Sequence, residues 1–465
     1  MRALSWVEYE LHNCSQLKEA ALFDRGTDQW FGATIDSRGE CKGRLFFALK
    51  GENTDGHKFV DAALSAGSCA VIVDDPKTAK KLTKTRAAHF LVGDVLIALQ
   101  ELARAYRNLL DATVVAITGS VGKTSTKEYV RAVLKSKYRV HANPGNLNNH
   151  IGVPLTILDT DLGSEYLVSE VGANHVGEIE HLSAILRPDI GVITNVFDAH
   201  IGLFGSRDRI AEAKAELVTS LESGGIAVLP GDDEYFELLS GRSVARVMSF
   251  GEGADCTFRV SGITEKDGRF AFEVNREKFT IESFARYNVV NAVAAIAVGD
   301  ACGVEIDRTR EALLAVEPIA GRAQVYRGSD IVVIDDSYNA NPTSMKMSIE
   351  TLLRFPARRR VAILGDMGEL GIYAADAHRD MGTHLARVGV DLVFWLGSHG
   401  SDVRKGAEGS PTTTEFRFFE NIKDLLEEAE VQLSAGDAVL VKASRACRLD
   451  EVVIALRAMF MEGGR

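Results

Sequence analysis

The sequence predicts an α/β protein of three domains, and three observations carry that expectation. Its 465 residues exceed what one hydrophobic core serves, so roughly two to four domains are expected. Short unbroken apolar runs alternate with helical stretches along most of the chain, as in parallel sheets covered on both faces. One of these runs leads straight into a glycine loop, Thr118-Gly-Ser-Val-Gly-Lys-Thr124.

Taken in order, LFFAL (45–49) and CAVIV (69–73) are strand-like runs separated by the helical stretch KFVDAALSAG. They predict a small N-terminal α/β domain, residues 1–90, closing near KTAKKLTKTR. VLIALQELARAYRNLL (95–110) repeats apolar residues at three and four and reads as the helix leading into the second domain. VVAI (114–117), YLVSEVG (166–172) and IGVITNV (190–196) are buried strands of a central domain, residues 91–318. Residues 249–283 alternate polar and apolar side chains, which predicts an antiparallel excursion before the helix ARYNVVNAVAAIAVGDACG. IVVIDDSYNANP (331–342), RRVAILGDM (359–367), VDLVFWLG (390–397) and DAVLVKAS (437–444) resume the strand–helix rhythm. They predict a Rossmann-like C-terminal domain, residues 319–465.

With 65 acidic against 53 basic residues and a net charge of -12, the field has the wrong sign for a nucleic-acid partner. A few local cations still suffice for a small anionic substrate. The six cysteines are scattered without a CxxC pair, which predicts reduced thiols and no zinc site. No apolar run is long enough to cross a membrane, and the N-terminus lacks the apolar core of a secretory signal. The expected compartment is the cytoplasm.

The loop carries the chemistry. Gly119 and Gly122 leave backbone N–H groups bare toward phosphate oxygens, with Ser120 and Val121 between them. Lys123 supplies a point charge for the outer phosphates, and Thr124 opens a helix whose dipole favours anions and whose hydroxyl suits Mg²⁺. The loop is short at its front: Ile117 stands where the longer phosphate-loop pattern has its first glycine. No guanine-reading Asn-Lys-x-Asp occurs, which favours adenine. Glu170 ends a strand at the ligand edge of such a sheet, although an exposed strand-end acid reads the same way. On the residues alone His200 reads as packing or surface, and Lys214 as a solvated charge on an amphipathic helix.

Taken together, the short TGxxGKT loop and the stretches FALKGENTDGHKF (47–59), GNLNNHIGVPLTIL (145–158), DDSYNANPTSM (335–345) and ILGDMGELG (363–371) resemble the Mur ligase family. The resemblance runs from about Thr34 to Arg448. It implies a central P-loop ATPase domain between the two flanking domains and an ATP-dependent, Mg²⁺-requiring amide ligase of peptidoglycan precursor synthesis. The four stretches favour the member that joins D-alanyl-D-alanine to UDP-N-acetylmuramoyl-tripeptide. It implies Thr124 and Glu170 at a first metal ion, and His200 with a carbamylated Lys214 at a second. Asn288 and Asn291 would reach adenine and Arg322 the terminal phosphates, with Asp336 and Tyr338 closing over the nucleotide. Ser37 and Arg38 would meet the uridine end, and Asn148 and Asn149 the muramoyl sugar and pyrophosphate. Lys442, Ser444 and Arg445 would face the peptide or incoming dipeptide. A monomer is expected.

One departure stands out: Lys42-Gly43-Arg44 replaces the family's usual Pro-Gly-Asp before the Leu-Phe of the uridine segment. The alternatives are a ligase on the same scaffold that adds the third residue or glutamate to folate, a non-enzymatic nucleotide-binding scaffold, and a simple kinase.

Overall fold

Among the described residues, three separate sheets organise the chain. The computed structural model describes residues 2–23, 29–51, 54–328 and 330–460. The N-terminal sheet has five strands in the order Leu17–Ala21, His89–Val92, Ala70–Val73, Leu45–Phe47, Ala33–Thr34. All pair in parallel except Leu17–Ala21, which runs antiparallel to His89–Val92 at the edge. The stretch expected to close this domain is instead an internal helix, Pro76–Lys84, capped by Asp75, and the sheet gains the strand His89–Val92 after it. A four-residue apolar run is too short to separate strand from helix by periodicity.

The helix Val95–Arg107 does more than connect. It buries Val95, Leu99, Leu102 and Tyr106 and packs on Leu4–Asn13 on one side and on Gly152–Asp159 and Glu178–Leu186 on the other. One continuous apolar core therefore runs from Leu4 through this helix into the central sheet. Arg44, part of the departure noted above, binds both carboxylate oxygens of Asp159 at 2.7 Å across that boundary. Its guanidinium is thus committed to joining the two sheets.

The central sheet has nine strands. Thr113–Thr118 lies third from one edge, parallel to Tyr166–Glu170 on one side and Ile190–Ile193 on the other. Arg246–Gly251 still belongs to the parallel part, pairing with Ile226–Pro230, so the antiparallel excursion begins only at Phe258–Lys266. Because the strands that follow Thr113–Thr118 lie on both sides of it, Val140–Ala142 and Tyr166–Glu170 on one and Ile190–Ile193 on the other, a crevice opens at its C-terminal end. The glycine loop occupies that place.

The third sheet has six strands, five parallel ones and the antiparallel edge strand Gln324–Arg327. It docks on the central unit through an unusually close backbone approach. Gly202 N–H donates to Glu369 O at 3.0 Å, and Tyr373 Oη donates to Gly205 O at 2.8 Å. A Cβ on Gly202 would lie 2.3 Å from Gly371 N, so only glycine permits this contact. Gly202→Ala is expected to lower turnover on the order of 10²-fold by displacing the third domain about an ångström, while nucleotide affinity stays within a few-fold. Steady-state kinetics beside nucleotide titration read both quantities. Parental turnover would show that this contact is dispensable.

Candidate active site

The loop is held by its own neighbours before any ligand is considered. Asn195 accepts Val121 N–H at 2.9 Å and donates to Val121 O at 2.9 Å. Thr194 Oγ1 donates to the same carbonyl at 2.6 Å, and Ser120 Oγ donates to Phe197 O at 2.8 Å. Gly119 has φ +147, and a Cβ there would sit 1.8 Å from Thr194 Oγ1. Gly122 has φ +86, with Asn291 Oδ1 2.5 Å from where a Cβ would stand. Both glycines are therefore obligatory, for space as well as for backbone conformation. Thr118 ends the strand beneath them with its side chain buried.

Glu170 reaches the loop because parallel pairing sets it beside Ile117. Its carboxylate accepts Thr124 Oγ1 at 2.8 Å and Asn148 Nδ2 at 2.7 Å, and only 2% of the residue is exposed. Lys123 is half-buried, with Nζ 2.9 Å from Gly119 O. Burial lowers its pKa; Glu170 opposes that shift and Arg322 adds to it. Arg322 comes from the segment entering the third sheet. Its guanidinium lies 4.0 Å over the Tyr338 ring and donates to Thr124 Oγ1 at 3.4 Å.

These groups line one cavity of about 230 Å³, together with Asn148, His200, Asp336 and Lys442. Within it Asp336 and Lys442 form a buried pair at 2.7 Å. Lys442 also donates to Asn339 O at 2.9 Å, and Asp336 accepts Ala323 N–H at 3.2 Å and the Ser348 hydroxyl. His200 has φ +59 and its Nδ1 meets the Glu369 carboxylate of the third domain. A neighbouring cavity of about 440 Å³ shares Val121, Gly122 and Tyr287 and is lined by Asn291, Phe250 and Val290. Asn288 stands behind, accepting Asn291 Nδ2 at 3.0 Å and donating to Ser283 Oγ at 3.0 Å.

Lys214 is 4% exposed, against the solvated position that the residues alone suggested. Helix Arg207–Thr219 turns Ile210, Ala211, Leu217 and Val218 into the core along with it. Burial first, then the Lys123 charge, bring its pKa down to about 7, with Glu216 opposing. The remaining expected residues stand apart from the loop cavity. Ser37 is half-buried, and the exposed Arg38 pairs with Asp36 at 2.9 Å. Asn149 accepts the N–H groups of Ile151 and Gly152 at 3.1 and 2.9 Å, capping the following helix. Ser444 is buried beside Cys447, and Arg445 pairs with Asp450 at 3.2 Å. Tyr287, Asn195 and Glu369 were not anticipated. Tyr287 lines both cavities, and burial and then the Asp336 charge push its phenol well above the usual range.

Among the described residues no cluster of three or more His, Cys, Asp or Glu side chains is set for a metal. The donors at the loop still suit Mg²⁺, which usually takes one or two protein oxygens and completes its shell with water and substrate phosphates. Thr124 and Glu170 are such a pair. A second ion would have the His200 imidazole, and Lys214 is a buried amine whose pKa, brought down to about 7, supplies the neutral form that CO₂ would convert into a carboxylate.

Residues 32–107 match the Mur ligase family, catalytic domain; residues 117–299 match the Mur ligase middle domain; and residues 321–445 match the Mur ligase, glutamate ligase domain. UDP-N-acetylmuramoyl-tripeptide--D-alanyl-D-alanine ligase of Bacillus subtilis is 35% identical over 426 residues, spanning 91% of this chain and 92% of its own. The enzyme of that name from Escherichia coli is 33% identical over 433 residues, spanning 91% and 93%. Among solved structures, MurF from Acinetobacter baumannii superposes with a TM-score of 0.84 at 30% identity, covering 97% of this chain and 98% of that one. MurF ligase from Thermotoga maritima in complex with ADP gives 0.77 at 32%, covering 92% and 97%. With family matches on all three segments and relatives alike over nine-tenths of their length, this chain belongs to the Mur ligase family.

Proposed function

We propose that this chain is an ATP-dependent ligase that joins D-alanyl-D-alanine to UDP-N-acetylmuramoyl-tripeptide, releasing ADP and phosphate in peptidoglycan precursor synthesis. The observation that carries the reading is the shared cavity, where the phosphate loop of one domain faces Arg322 and Tyr338 of another. It acts as a monomer in the cytoplasm. Domain limits near residues 90 and 318 divide its tasks.

The loop N–H groups, Lys123 and Arg322 hold the ATP phosphates, and Asn291, backed by Asn288, meets adenine. Ser37 and Arg38 take the uridine end of the acceptor, and Asn148 and Asn149 its sugar and pyrophosphate. Ser444 and Arg445 face the peptide side. When bound by Thr124 and Glu170, and by His200 with a carbamylated Lys214, Mg²⁺ supplies the charge neutralisation that lets a carboxylate approach a phosphate. The tripeptide carboxylate attacks the γ-phosphorus, the bond to the bridging oxygen breaks, and ADP departs. The dipeptide's neutral amine then attacks the acyl carbonyl. Phosphate leaves with the bonding pair, and the amine proton passes to solvent. Lys123 and Arg322 stabilise charge that grows during transfer, and the Asp336–Lys442 pair, through Ala323 N–H, holds the third-domain segment that presents Arg322.

Phosphate release from the purified protein with ATP and UDP-muramoyl-tripeptide, with and without D-alanyl-D-alanine, tests the assignment. Release that depends on the dipeptide supports it. Release that requires a free amino acid instead would move the chain to another ligase on this scaffold. A further expectation concerns Lys214: alanine there lowers the rate on the order of 10²-fold by removing a charge from the site. Millimolar formate or acetate restores part of it by supplying a carboxylate. Full activity without added acid would return Lys214 to a packing role.

A further inference from the structure

Lys127 lies one helical turn beyond Lys123, and its side chain is entirely buried (0% exposed). A buried ammonium is costly unless its donors are used. Here three partners take them. Nζ donates to Asn143 O at 2.7 Å and to Gly145 O at 3.3 Å, and pairs with Glu128 at 3.1 Å. Two of these are backbone carbonyls at the root of the loop Asn143–Asn149. An apolar side chain would fill the same space without the cost of desolvating a charge. The cation's distinctive effect is therefore on that loop.

The loop in turn builds the acceptor side of the cavity. Asn143 Oδ1 accepts Glu170 N–H at 2.9 Å, and Asn148 Nδ2 donates to Glu170 Oε1 at 2.7 Å. Gly172 N–H donates to Asn148 O at 2.8 Å. Asn146 lines the cavity together with Tyr338 of the third domain. Gly145, with φ +55 and open space around it, has little packing of its own to hold it. The helix that begins with the phosphate-contacting Lys123 and Thr124 thus grips, through Lys127, the loop that presents Asn146 and Asn148.

We propose that Lys127 is a positioning residue for the acceptor: it fixes the Asn143–Asn149 loop so that the carboxylate to be activated meets the γ-phosphate held at Lys123. This rests on the ligase reading above and extends it to a residue that touches neither substrate. The two lysines of one helix then divide the work, Lys123 toward the nucleotide and Lys127 toward the acceptor.

The test uses the full chain with Lys127→Met, which keeps bulk and apolar stem, and Lys127→Gln, which keeps N–H donors on a shorter, neutral side chain. The expected result for Lys127→Met is a KM for UDP-muramoyl-tripeptide raised about tenfold or more, with the affinity for an ATP analogue within about twofold. Lys127→Gln falls between Met and parent. If Lys127→Met does not fold, judged by loss of analogue binding, Lys127→Gln alone decides on the same split. Acceptor KM unchanged, or acceptor and nucleotide affinities weakened equally, overturns the proposal and leaves Lys127 a packing residue. Absence of dipeptide-dependent phosphate release from the parent would instead overturn the ligase reading, so the two failures are separable.

Discussion

Lys123→Ala is expected to lower dipeptide-dependent ADP formation on the order of 10³-fold or more, the scale of losing one charged donor from a preorganised site. Its Nζ sits within the loop, 2.9 Å from Gly119 O, and Arg322 brings a second cation to the same cavity, donating to the Thr124 hydroxyl at 3.4 Å. Burial lowers the Lys123 pKa, with Glu170 opposing that shift. Phosphate oxygens would strengthen the opposing effect, because an anion beside an amine favours its charged form. Lys123→Arg is not expected to recover the rate. A planar fork does not fit a space shaped around a point charge, and the flanking Gly119 and Gly122 have no room to give. Initial rates of ADP formation measure the effect. Retention of a tenth of parental activity by the alanine variant would place the phosphates elsewhere.

Lys442→Met is expected to destabilise the protein by about 3–5 kcal/mol, the usual cost of leaving one partner of a buried ion pair without the other. Asp336 and Lys442 are 4% and 3% exposed and lie 2.7 Å apart. The pair stands at the ends of the strands Val332–Asp335 and Asp437–Lys442, which are hydrogen-bonded neighbours. Through Ala323 N–H and Ser348 it also ties in the entry segment and the helix Pro342–Arg354. Removing the ammonium strands a carboxylate with only two weaker donors. The double variant Lys442→Met with Asp336→Asn should regain much of the loss, since the amide carries no charge to strand. Urea denaturation of parent, single and double variants measures this. A single variant within 1 kcal/mol of parent, on the scale of an exposed pair, would show that water reaches the site.

Fold class was legible because it follows from local pattern. Apolar runs such as VVAI and VDLVFWLG each became a strand of a mostly parallel sheet, Thr113–Thr118 and Leu392–Leu396. The short His89–Val92 run was less legible, and so was the antiparallel edge strand Leu17–Ala21. Runs of that length acquire their identity from the neighbours they pair with.

The glycine loop followed from the residues alone. Its glycines, lysine and threonine are contiguous, and their backbone requirements hold wherever the loop is placed. Tertiary structure decided everything that depends on two segments meeting. Glu170 is set beside the loop by strand register, and Lys214 is drawn into the core by the way its helix packs. Glu369 is brought to His200, and Lys442 to Asp336, by domain docking and sheet pairing. A charged residue carries no local mark of the partner it will find. Its burial, its pKa and its role are properties of the groups around it, and folding alone assembles those.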